Sequence, residues 1–277
     1  MKCKIIELDE LKKIELNLLV QFDEICRKNG FFYSLAGGTL IGAIRHKGFI
    51  PWDDDIDVLM PRPDYERFIS HCENNHVPFR LISNRTIKDY CDLYAKAVNP
   101  DTVIKEDITD KDESINGVFI DIFPIDGLGS TKKEAIKNFR RTSFERELLN
   151  ASFWNKFVRS KTRAWYYEPV RLVFFALSRF VDSNKLSKKI DKKVKQINYE
   201  DSAIVGSVYG SYREKEILEK SIYSDLIEVE FEGHMLYALK EYDTYLRALY
   251  GDYLKLPPKE KRVSHHYFDA YWKGESE

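Results

Sequence analysis

GGTLIGAIRHKGFIPWDDDIDVLMPRPDYERF, residues 37–68, places paired glycines, a dense set of aspartates and a proline-started helix in one short stretch. Asp53, Asp54, Asp55 and Asp57 fall within five residues. Crowded carboxylates raise one another's pKa, and a bound divalent cation removes that cost. Along a strand, side chains two apart share a face. Asp55 and Asp57 therefore aim at one point, while Ile56 and Val58 turn to the core. Two carboxylates on one face suit magnesium, a hard ion satisfied by oxygen and shared with substrate phosphates; manganese is the alternative. An Asp-x-Asp pair alone reads first as a solvated acidic loop. Gly37 and Gly38 change that balance, because glycines let phosphate oxygens approach the backbone. Thr39 is expected to cap a short helix through about His46, whose free N–H groups favour an anion.

On the N-terminal side, Leu11, Ile14, Leu18, Phe22 and Ile25 recur at helical spacing, and Asn29–Gly30 is a glycine stop. FFYSLAGG reads as a strand entering a tight turn. On the other side, Pro63 sits where a helix begins, and DYERFISHCEN continues it. FRLIS (79–83), LYAKAV (93–98) and VFIDIF (118–123) are predicted strands. Asp121 lies inside the last, where an acid among Phe119, Ile120, Ile122 and Phe123 needs a partner. It is the expected third carboxylate. Asp126, beyond Pro124, is expected to serve the following turn.

Residues 131–197 are rich in Lys, Arg, Leu and Phe and read as helices. SVYGSY (207–212) and LIEVEFEG (226–233) suit strands or extended turns. A final helix is expected from about Leu236 to Leu249, ending at Gly251. The fold class is α+β: a small mixed sheet with flanking helices over 1–128, and a mainly helical subdomain over 129–277 that completes the site.

With 277 residues, 43% hydrophobic and 32% charged, the chain can bury a core beneath a charged surface. A formal net charge of -1 supplies no overall field to recruit nucleic acid. The start, MKCKIIELDELKK, has no apolar run or cleavage site, so the expected location is the cytoplasm. Cys3, Cys26, Cys72 and Cys91 form no C-x-x-C pair, which argues against a zinc site or a disulfide framework.

The stretch resembles the LicD family of phosphocholine transferases, related to fukutin-related proteins. The resemblance rests on Gly37–Gly38–Thr39, on Arg45–His46–Lys47–Gly48, and on Ile50–Pro51–Trp52–Asp53–Asp54–Asp55–Ile56–Asp57. It continues in Asp121–Ile122–Phe123–Pro124–Ile125–Asp126. Near the C-terminus it extends to Tyr250–Gly251–Asp252–Tyr253, Leu256–Pro257–Pro258, Lys261–Arg262 and His265–His266. It implies a nucleotidyltransferase-like fold. It also implies transfer of a phosphoalcohol, phosphocholine first, from a CDP-linked donor to a hydroxyl of a cell-surface glycan. Teichoic acid, lipopolysaccharide or a lipid-linked precursor are such acceptors, and CMP is released. Asp55 and Asp57 match the family's metal-binding pair, and Asp121 its third acid. Lys96 matches a basic strand residue that could meet a donor phosphate, as could Arg45.

Trp52, His46, Arg262, His265 and His266 are candidate substrate contacts; Trp52 could attract a quaternary ammonium. Residues 163–181 (RAWYYEPVRLVFFALSRFV) read as a buried helix, with a peripheral contact at the inner face of a membrane as the alternative. Two competing functions use the same features: a nucleotidyltransferase that moves NMP and releases pyrophosphate, and a degenerate binding protein of the same fold.

Overall fold

The computed structural model describes residues 4–106, 117–159, 165–258, 260, 262 and 268–274. Helix α1 (Leu8–Asn29) buries Leu11, Ile14, Leu18 and Phe22 along one face. Gly30 ends it in the left-handed region at φ 64°, where a Cβ would be strained. Completely buried side chains such as Phe22 and Phe68 contribute roughly 1.5–3 kcal/mol each.

Strand β1 (Ser34–Leu35) is two residues long, and FFYSLAGG does not continue it into a turn; helix α2 (Gly37–His46) starts at once. Next come β2 (Asp57–Pro61) and α3 (Arg62–Asn74), with Pro63 in the first helical turn as expected. Strands β3 (Arg80–Ile82), β4 (Ala95–Val98) and β6 (Phe119–Gly129) agree with the predicted apolar runs. The sheet has the order β1-β2-β6-β4-β3. It is mixed: β2 runs parallel to β6, and β4 antiparallel to it.

Strand β6 is the hub. Its eleven residues run straight through Pro124, and its far half pairs with β7 (Ile204–Gly206), which pairs with β8 (Leu218–Glu219). Asp126 is therefore not a turn residue. It is buried in the strand and accepts two hydrogen bonds from Arg62, from Nε at 2.6 Å and Nη2 at 3.0 Å. Arg62 also reaches Asp191 and Glu66, and Lys195 joins both acids from the half-exposed edge.

Helices α4 (Lys132–Arg140), α5 (Ser143–Ser152), α6 (Glu168–Ser178) and α7 (Ser183–Val194) occupy the segment predicted to be helical. A smaller core lies beneath them, including Leu128, Phe139, Leu149 and Ile190. Beyond it the chain returns to strands. SVYGSY is not one of them. LIEVEF forms β9 (Leu226–Phe231), and the expected start of the last helix is instead β10 (His234–Leu239), its hairpin partner. Helix α8 spans only Tyr242–Tyr250. A further pair, β5 (Thr102–Glu106) with β11 (Phe268–Trp272), joins distant parts of the chain. The larger core draws on residues from Ile6 to Ala270, so the late strands close the early sheet.

Arg62→Met would leave Asp126 as a buried charge without its partner. The unfolding free energy is expected to fall by about 3–5 kcal/mol in urea titration. Lys195→Met, at the wetter edge of the same network, is expected to cost about 0–1 kcal/mol.

Candidate active site

The sheet register brings the acids together. Asp57 at the start of β2 stands opposite Asp121 on β6, and the Asp121 N–H donates to the Ile56 carbonyl at 2.9 Å. Asp55 lies just before β2 rather than on it. Thr39 fixes this approach: its hydroxyl accepts from the Asp57 N–H at 2.9 Å. Thr39 therefore ties a helix to a strand and is not the expected N-cap; Ala36 holds that place, without a side-chain cap.

The glycines also act differently from expectation. Gly37, at φ 51°, makes room for a protein carboxylate: an added Cβ would lie 3.1 Å from Asp57 Oδ2. At Gly38 it would lie 2.4 Å from Asp53 Oδ2. The start of α2 thus seats two carboxylates, which its unpaired N–H groups and dipole favour. The Arg45–Gly48 run ends the helix. Lys47 takes the left-handed conformation at φ 57°, and a Cβ on Gly42 would lie 2.4 Å from the Gly48 carbonyl.

Asp55, Asp57 and Asp121 line one cavity of about 850 Å³ with Asp92, Tyr94 and Phe123. Helix α5 and residues 209–215 form the opposite wall, including Arg146, Asn150, Tyr212 and Arg213. Burial raises Asp55 to about 7, reinforced by Asp53, with which it shares a side-chain hydrogen bond. Burial pushes Asp57 well above the carboxylate range, and Asp55 and Asp121 push it further. Asp121 is raised to about 6: burial outweighs Lys96, whose Nζ donates to Asp121 Oδ1 at 2.7 Å. Behind them Glu15 is buried with one oxygen unpartnered, and burial raises it strongly, reinforced by Asp55, Asp54 and Asp121.

Lys96, expected near a donor phosphate, is paired with Asp121 instead of standing free. It holds Asp121 from behind, over the Phe119 ring, and the cavity lining does not include it. Arg45, His46, Trp52 and Arg262 gather in a second cluster away from that lining. Arg45 donates to His46 Nε2 at 2.9 Å and to the Tyr253 carbonyl at 3.0 Å. The Arg262 guanidinium stands 5.4 Å from the Trp52 ring centroid. His265 and His266 lie outside the described residues.

Arg146, Arg213 and Tyr212 were not singled out in the sequence. Arg146 donates to the Phe139 and Val208 carbonyls, while its buried Nε has no hydrogen-bond partner. Arg213, at φ 57°, pairs with Glu147. Nothing in a Lys- and Arg-rich helical segment marks which cation faces a cavity.

Among the described residues no group of three or more acids, histidines or cysteines is gathered closely enough to hold a metal ion by itself. The donor set nevertheless fits magnesium, which keeps waters and shares substrate phosphates rather than entering an all-protein cage. Three oxygen donors face one cavity, and only Asp121 is neutralised by a lysine.

Parallel β2–β6 pairing, the α2 start and the facing acids all fall within one segment that matches a known family. Residues 30–164 match the family model described as "LicD/FKTN/FKRP, nucleotidyltransferase domain". Over 272 residues the chain is 34% identical to the lipopolysaccharide cholinephosphotransferase LicD of Haemophilus influenzae, covering 97% of this chain and 99% of the relative. The chain belongs to the LicD family. An uncharacterized protein of Rickettsia typhi is 39% identical over 62 residues, spanning 22% of this chain and 20% of its own. One of Rickettsia prowazekii is 46% identical over 47 residues, spanning 17% and 18%.

The raised acids set a pH dependence. A carboxylate whose folded pKa is raised favours folding below its unfolded value, and that contribution is lost as pH rises through the folded value. In chelator, the melting temperature is expected to fall from about pH 4, where these acids ionise in the unfolded chain, to about pH 7, where Asp121 and then Asp55 have ionised in the folded one. Magnesium is expected to restore it at the higher pH and to do little at the lower. A flat profile in wild type, matching Asp55→Asn, would contradict the placement of these charges.

Proposed function

We propose that this chain transfers phosphocholine from a CDP-linked donor to a hydroxyl of a cell-surface glycan, with lipopolysaccharide as the acceptor class, and releases CMP. It is a LicD-type transferase of phosphorus-containing groups. The observation that carries the reading is the convergence of Asp55, Asp57 and Asp121 on one cavity. The full-length match to a lipopolysaccharide cholinephosphotransferase supports the choice of group and acceptor.

Asp55 and Asp57 would hold magnesium, with Asp121 as the third oxygen ligand. A metal there supplies neutralisation of the donor phosphates and of the charge growing on the leaving oxygen. Arg146 and Arg213, on the opposite wall, are placed to attract the anionic donor. Tyr94 and Phe123, in ring contact at 4.5 Å between centroids, line the cavity whereas Trp52 does not, so a quaternary ammonium held beside the acids would meet these rings. Lys96 keeps one Asp121 oxygen occupied, so the other serves the metal or takes the acceptor's proton.

A second reading, transfer of NMP with release of pyrophosphate, uses the same acids. The two differ in product. With CDP-choline and a glycan acceptor, CMP is expected in a magnesium-dependent assay; pyrophosphate from CTP and a phosphoalcohol would favour the second. Asp57→Asn is expected to lower turnover at least about 100-fold while the protein stays folded by circular dichroism. Wild-type turnover in that variant would remove Asp57 from the chemistry.

A further inference from the structure

Helix α6 shows apolar side chains to solvent. The sequence favoured a buried helix here, but Ser178 is its one buried residue. Arg171, Phe174 and Phe175 turn toward the protein: Phe174 meets Phe144 at 5.3 Å, and Phe175 stacks on Trp154 at 6.5 Å. The other face carries Val170, Val173 and Leu177, followed by Phe180, at spacings of three and four. They are 53%, 57%, 45% and 89% exposed. Immediately before the helix stands Trp165, 83% exposed, beside Tyr166 and Tyr167. Single exposed apolar residues are common, but a stripe of this size marks an interaction surface.

We propose that this stripe lies in the interface of an anionic lipid bilayer. Charge selects that occupant. Residues 165–195 hold eight Lys or Arg against three Asp or Glu, in a chain whose net charge is -1. Lys156, Arg159, Lys188 and Lys192 are exposed and make no ion pair among the described residues. An apolar helix face with nearby cations and leading Trp and Tyr residues is the composition of an interfacial helix. No helix among the described residues is long and apolar enough to cross a membrane, so the contact is peripheral. Helix α6 packs on α5, and α5 walls the acidic cavity. Docking would hold that wall at the lipid surface. The inference goes beyond the transfer reaction and does not depend on it.

The test is sedimentation with vesicles of phosphatidylcholine mixed with phosphatidylglycerol, against phosphatidylcholine alone. Wild type is expected to pellet with the anionic vesicles and to be released by high salt. Val173→Glu combined with Phe180→Glu should weaken binding about tenfold or more. That variant should retain wild-type turnover on a water-soluble acceptor, which separates docking from chemistry and from misfolding. Lys188→Gln with Lys192→Gln should weaken binding without touching the apolar stripe. Wild type that stays in the supernatant, or a double glutamate variant that binds as well, would overturn the proposal. So would concentration-dependent dimerisation in sedimentation velocity that the glutamates abolish, because the stripe would then be a self-association surface.

Discussion

Repulsion among carboxylates governs this protein's centre. Asp57 and Asp121 are register partners on adjacent parallel strands, and Asp55 and Asp53 precede Asp57 by only a few residues. Burial and mutual repulsion hold these acids above their ordinary range, so the fold keeps an unfavourable arrangement in place. The surroundings offset part of it. Lys96 neutralises Asp121, and glycines at the start of α2 leave room for the Asp53 and Asp57 carboxylates. Such stored repulsion marks functional sites, where a cation and a phosphate can relieve it.

Much of this was legible in the sequence because it is local. The helix at 8–29, the proline start of α3 and the apolar strands each leave a short-range pattern that a few residues determine. The aspartate run could be read for the same reason. What could not be read depends on partners far along the chain. Asp126 looks like a turn residue after a proline, yet the strand continues because Arg62, sixty-four residues earlier, fills the buried space beside it. Thr39 looks like a cap, yet it faces a backbone N–H eighteen residues away. Lys96 reads as one more strand cation, yet cross-strand pairing with Asp121 decides where its ammonium goes.

The cavity's second wall was the least legible part. Arg146 and Arg213 come from a helix and a tight turn that no local motif ties to the aspartates. They face the acids because α4, α5 and α7 pack into a separate small core beside the sheet. The wall also depends on a clamp. Buried Glu216 accepts from the Tyr212 N–H at 2.9 Å, and its carboxylate occupies the space that a side chain at Gly210 would need. Residues 209–212 are thus braced from behind.

The order in which the strands join has a consequence for biogenesis. Among the described residues strand β5 pairs with β11, and the packing around Tyr33 and Phe49 is completed by Tyr237 and Phe231 of the late hairpin. A nascent chain leaving the ribosome has its acidic motif early but the strands that complete the core around it last. Until those emerge, apolar strands stay uncovered, and long-range pairing of this kind forms slowly. Stalled synthesis would therefore release chains with exposed apolar strands, substrates for chaperones and proteases.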